Sequence, residues 1–118
     1  MSVPVDLHAL QTTATALGDE ALLATVTDAS APHVVSVLVR WRDGRIEAGA
    51  GRRTAANIDA HPGVTLLWPT RHHDAYRLIV DGDATVTADT ITITPTLAVL
   101  HRIAGAAGEG PMCLAVES

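Results

Sequence analysis

The chain has 118 residues, 47 % of them hydrophobic, a mean hydropathy of +0.24 and a net charge of −5. That length suits a single domain over 1–118 and is too short for two. The acidic balance gives no support to nucleic-acid binding, no apolar run reaches the length of a membrane span, and a single cysteine, Cys113, excludes an internal disulfide framework and a thiolate-rich zinc site.

The opening residues lack a basic stretch followed by an apolar run, so no signal peptide is visible, and with one free cysteine a reducing cytoplasm is expected. Cys113 has no base nearby in sequence and reads as a small buried apolar residue. Asp6 is placed to cap a first helix. Leu7, Leu10, Ala14 and Leu17 recur at helical spacing, and Gly18 supplies the stop.

Strands follow. Residues 21–27 form the first, 28–32 a turn, and 33–41 the most β-branched run in the chain. Both faces of 33–41 are largely apolar, so one is expected inside a barrel and the other against a partner subunit. Asp43-Gly44 marks a hairpin tip, and 45–50 is the next strand. Residues 64–68 form a fourth strand, 69–75 a polar loop and 76–87 a long fifth strand with clean alternation. Gly82 inside that strand predicts a bulge or a close backbone approach. Ala88-Asp89 is a tight turn into a strand over 90–94. Beyond it, Thr94-Pro95 opens either a helix or a strand with a proline bulge at an edge, so the conformation of 97–102 stays open. Residues 105–110 are a small-residue segment, and 112–116 suit a last short strand.

Between the third and fourth strands lies the stretch richest in chemistry, 48–68. Gly49 and Gly51 let the chain bend and let a ligand approach the backbone. Arg52 and Arg53 follow, Thr54 is placed to cap a short helix, and His61-Pro62-Gly63 ends it. Helix-terminal N–H groups flanked by arginines form an anion site, here a phosphate cradle. The plain alternative is a surface turn with two solvated arginines.

Short connections argue against a parallel α/β sheet. The pattern predicts a mainly β protein: a six-stranded antiparallel split barrel with an N-terminal helix and a short helix between strands 3 and 4. This arrangement resembles the pyridoxamine 5'-phosphate oxidase-like FMN-binding split barrels over about residues 22–102. The likeness rests on Leu23-Ala24-Thr25-Val26, on Pro32-His33-Val34, and on Gly51-Arg52-Arg53-Thr54-Ala55-Ala56-Asn57-Ile58 followed by His61-Pro62-Gly63-Val64. Leu66-Leu67-Trp68 and Val80-Asp81-Gly82-Asp83-Ala84 complete it.

The resemblance implies a homodimer that binds FMN at its interface and acts on a small organic substrate, with the flavin carrying the redox chemistry. It implies that Arg53 meets the cofactor phosphate at Gly51. Arg52 stands at the family's usual serine and Thr54 at its usual lysine, a departure that removes a charge. Asn57 matches a helix position that often carries an amide, and Ser36 and Val37 fall where family members line the flavin ring. A further departure is the 88–89 turn, where many members carry a helix. Trp68 is a candidate wall of the pocket, with core or interface packing as the alternative. The deazaflavin coenzyme of the same fold is the alternative cofactor, and a non-catalytic barrel for a planar ligand the alternative function.

No residue stands out as a catalytic acid or base. Asp81 and Asp83 share a strand face, but a solvated face or an ion pair accounts for them as well. His61, His72, His73 and His101 lack the helical spacing of a zinc motif. His72-His73-Asp74 reads as a solvated loop, and His101-Arg102 as either a cover over the cofactor or a strand end.

Overall fold

A computed structural model describes residues 2–69 and 76–102. The residues expected to form most of the 69–75 loop, with His72, His73 and Asp74, lie outside that range, as do the 105–110 segment, Cys113 and the 112–116 strand.

Two helices and eight strands are seen among the described residues. The strands are β1 (Ser2–Pro4), β2 (Glu20–Val26), β3 (Pro32–Leu38), β4 (Arg40–Arg42), β5 (Arg45–Gly49), β6 (Gly63–Trp68), β7 (Tyr76–Thr87) and β8 (Thr90–Arg102). The helices are α1 (Leu10–Leu17) and α2 (Arg52–Ala60). All strand pairs are antiparallel, in the order β3-β2-β6-β7-β8-β5-β4, with β1 added on β8. The fold class is therefore the expected mainly β half-barrel, with two more strands than the six predicted.

Both additional strands have a local cause. Ser2–Pro4 pairs with Val99–His101, and three residues ending in proline carry too little pattern to read as a strand. The run expected as one strand over 33–41 divides at Val39. Up to Leu38 it pairs with β2; the Val39 N–H then bonds the Asp19 carbonyl at 2.7 Å, and 40–42 pairs with β5 instead. β3 and β4 stand at opposite ends of the strand order yet are joined by one residue. The sheet must therefore curl until its two ends meet at Val39, which is how the barrel comes to be split there.

Turn chemistry fixes the hairpins. Asp43 (φ 52°) and Gly44 (φ 78°) both have positive φ, the signature of a type I′ turn, whose twist matches that of the flanking strands. The open question over 97–102 resolves as strand. β8 runs unbroken from Thr90 to Arg102, and Pro95 sits at the register shift opposite Gly82. There Asp81 pairs with Leu97 and Gly82 with Pro95, so Thr96 is the extra residue. Its hydroxyl donates to the Asp81 carbonyl at 3.2 Å. On the side away from β7, β5 pairs with 90–93 and β1 with 99–101. The missing proline N–H thus falls between two partners.

The barrel interior is packed with Leu23, Ile46, Leu66, Trp68, Leu78, Val80, Ile91 and Ile93, all fully or almost fully buried. Leu10 and Ala14 of α1 and Ile58 of α2 join the same core. Asp6 does not cap α1 directly. Its carboxylate accepts from the His8 N–H at 2.8 Å in the turn before the helix, and the N-cap is Ala9. Leu7 is consequently left exposed. Gly18 (φ 114°) ends α1 as expected.

The outer face is unlike a solvated one. Following the strand registers, Ser36, Leu22, Leu67, Ile79, Val99 and Pro4 form one row across the sheet. The next row is Val34, Ala24, Thr65, Asp81 and Leu97. Val34, Leu38 and Leu97 are 56, 66 and 53 % exposed. Within the second row Thr65 donates to Asp81 Oδ1 at 2.7 Å.

Candidate functional site

The site expectation centred on the turn into α2, and the structure divides its residues into two environments. Gly51 is the N-cap, in extended geometry (φ −75°, ψ 169°), and α2 begins at Arg52. Gly51, Arg52 and Arg53 are exposed. No side chain caps the helix and its first turn holds no acidic residue. Thr54 is therefore not the cap that its sequence position suggested. It lies in the third helical position, 4 % exposed, on the face turned into the protein. A helix that starts three residues earlier than expected carries Thr54 past the turn and inward.

Asn57, 7 % exposed, lies one turn further along that inward face. Its Nδ2 donates to the Thr25 hydroxyl of β2 at 3.1 Å. The amide thus ties the helix to the sheet. The C-terminal end behaves as expected, with His61 as C-cap and its N–H on the Asn57 carbonyl at 2.8 Å.

The remaining candidates are distributed by strand alternation. Ser36 points outward and is exposed, in the same row as Leu22 and Leu67. Val37 points inward and is buried, so only its backbone could face a ligand on the outer surface. Trp68 is fully buried, and its Nε1–H donates to the Gly18 carbonyl at 3.2 Å. It sits at the far end of β6 from α2 and leaves no surface within this chain to form a pocket wall. Its role is core packing and the anchoring of the α1 terminus.

Asp81 is held by Thr65, and Asp83 beside it is exposed. They form no paired-carboxylate site. Ser2 Oγ lies 3.2 Å from His101 Nδ1, joining β1 to β8 at a strand end. The other arginines of the described N-terminal half lie on the β4–β5 hairpin, where Glu47 faces Arg42 at 3.7 Å and Arg40 at 3.9 Å. A cleft of about 430 Å³ opens between Thr15, Gly18, Asp19, Val39, Arg40 and Trp41. It shares no residue with the Arg52-Arg53 turn.

What the arrangement offers chemically is a helix N-terminus with no side-chain cap and no acidic residue in its first turn, flanked by two exposed arginines. The first-turn N–H groups carry the positive end of the helix dipole, and two guanidiniums add fixed charge with planar donor geometry.

No protein-family model and no curated protein matches the sequence. Solved structures do. A general stress protein 26-related protein of the pyridoxinephosphate oxidase family from Clostridium acetobutylicum superposes with a TM-score of 0.67 at 10 % identity, covering 83 % of this chain and 91 % of that one. The fold is that of the pyridoxamine 5'-phosphate oxidase-like split barrels. An F420 reductase matches this split barrel with a TM-score of 0.60 at 19 % identity, over 70 % of this chain and 93 % of its own. An FAD-binding protein from Mycobacterium smegmatis matches with a TM-score of 0.60 at 12 % identity, over 86 % of this chain and all of its own, 100 %.

Two features of the split barrel went unforeseen. Thr25 gave no signal, because a threonine in a β-branched strand is ordinary. The Gly18 carbonyl is a backbone group and has no sequence signature as the partner of Trp68.

Proposed function

We propose that this protein binds a flavin-type cofactor, FMN or the deazaflavin, through its phosphate at the Gly51-Arg52-Arg53 turn, and uses it for oxidoreduction of a small organic substrate. The observation that carries the proposal is the start of α2. Its N-cap has no side chain, its first turn has no carboxylate to compete for the N–H groups, and both arginines are exposed beside it. Similar solved structures include an FAD-binding protein and an F420 reductase, and FAD and F420 both contain phosphate.

The bound cofactor supplies hydride or electron transfer. This chain's own part is to hold the phosphate, to present Ser36 and the outer row beside it, and to exclude water from that face. The exclusion is proposed to come from a second copy of the chain. The apolar row Leu22, Leu67, Ile79 and Val99 would then pack across a two-fold interface, with Val34 and Leu97 covered beside it.

The test is a fluorescence titration of the purified protein with FMN and, separately, with the deazaflavin, repeated on an Arg52→Ala/Arg53→Ala variant. Micromolar binding of one cofactor is expected, weakened at least about tenfold in the variant, as befits the loss of charge-assisted hydrogen bonds. Absence of binding to either cofactor overturns the reading.

A further inference from the structure

We infer that Thr25, a residue buried in the sheet and remote in sequence from the turn, is a positioning residue for the anion site, acting through Asn57. The inference rests on the phosphate reading of the Arg52-Arg53 turn given above.

The buried polar side chains of the described core are Thr25, Thr54 and Asn57. Two of them, 32 residues apart in sequence, satisfy each other at 3.1 Å. Burying a hydroxyl against a carboxamide gains little over burying two apolar groups of the same shape, because both must first be stripped of water. The pair is therefore better explained by direction than by cohesion. Ile58 anchors α2 in the core through non-directional contact, and such contact tolerates small rotations and slides of a helix. A hydrogen bond at one point on the same face does not.

The consequence falls on the turn. Arg53 lies four residues before Asn57, about 6 Å nearer the start of the same short helix, at its exposed end. Thr25 itself is the penultimate residue of β2, in register with His33 on β3, one residue past the last β2–β6 pair at Ala24. Strand β2 thus sets the rotation of α2 about its axis. That rotation sets where the first-turn N–H groups and the Arg53 guanidinium point. Beside Thr25, the buried His33 Nδ1 has no hydrogen-bond partner among the described residues.

Three proteins test the inference: wild type, Thr25→Val, which keeps the shape and removes the acceptor, and Thr25→Ser, which keeps the acceptor. Two readouts are taken on each. The first is amide hydrogen exchange without cofactor. In Thr25→Val, exchange in 52–60 is expected to quicken at least about tenfold relative to 76–87, while Thr25→Ser stays near wild type. The second is affinity for whichever of FMN and the deazaflavin wild type binds, expected to fall at least about fivefold in Thr25→Val and to return in Thr25→Ser.

Unchanged exchange over 52–60 in Thr25→Val overturns the inference. So does cofactor affinity equal to wild type in that variant. If wild type binds neither FMN nor the deazaflavin, the phosphate reading fails by itself, and the exchange measurement alone then decides whether Thr25 positions the helix.

Discussion

A Cβ placed on Gly82 of β7 would stand 2.7 Å from the carbonyl oxygen of Thr94 on β8. The obstacle is backbone, and it is fixed by the ladder on both sides of the bulge, so it cannot swing away as a side-chain tip would. The Ile93 Cγ2 at 2.8 Å closes the same space. Gly82→Ala is therefore expected to destabilise the fold by about 2–3 kcal/mol or more, through overpacking and disturbed register. Urea denaturation followed by circular dichroism checks it, and a loss below about 0.5 kcal/mol would show that the two strands separate freely there.

Ala88 offers the opposite case. It occupies the first central position of the two-residue turn between Thr87 and Thr90 with φ 58°, and Asp89 does not share the positive φ. That pattern is the type II′ turn, which favours glycine in the position that alanine fills here. Ala88→Gly is expected to stabilise the protein by up to about 1 kcal/mol, since relief of the left-handed strain outweighs the added freedom of the unfolded chain. The melting temperature is the measurement, and a decrease would contradict the assignment.

The two tryptophans are separable. Trp68 is fully buried and hydrogen-bonded to Gly18, whereas Trp41 is half-buried beside the cleft. Trp41→Phe is expected to leave a blue-shifted emission from Trp68 and a nearly unchanged stability. Trp68→Phe is expected to cost about 1–3 kcal/mol through the lost hydrogen bond and the volume left unfilled. Red-shifted emission in Trp41→Phe would place Trp68 in contact with water.

The proposed dimer is tested on its exposed members. Val34→Asp and Leu97→Asp add charge to one row of the outer face without touching the barrel interior. Each is expected to change the stability of the monomer by less than about 0.5 kcal/mol, as exposed substitutions do. Light scattering is expected to show the mass falling from twice 12.3 kDa to a single chain. A wild-type mass of one chain at high micromolar concentration would remove the interface.

Much of the site's frame was legible from local pattern. Gly51 before the arginines and His61-Pro62 after Ile58 bracket α2, because a glycine entry and a proline exit act within two or three residues. Thr54 was misread for the same local reason: threonine is a good cap, and only the start of the helix at Arg52 moves it to an inward position. Nothing local could reveal that Asn57 reaches Thr25 rather than its own helix.

The sequence by itself determined the alternation of 76–87, the Asp43-Gly44 hairpin, the tight approach at Gly82 and the antiparallel class. Each follows from side-chain period or turn stereochemistry, which a few neighbouring residues dictate. The tertiary structure alone decided that the 33–41 run divides at Val39 and that Pro95 lies within one continuous strand. It alone decided that Trp68 closes on Gly18, 50 residues away, and that Asn57 closes on Thr25. Those outcomes depend on which edges meet when a twisted sheet curls, and on which buried polar groups then find each other. No window of sequence holds both partners.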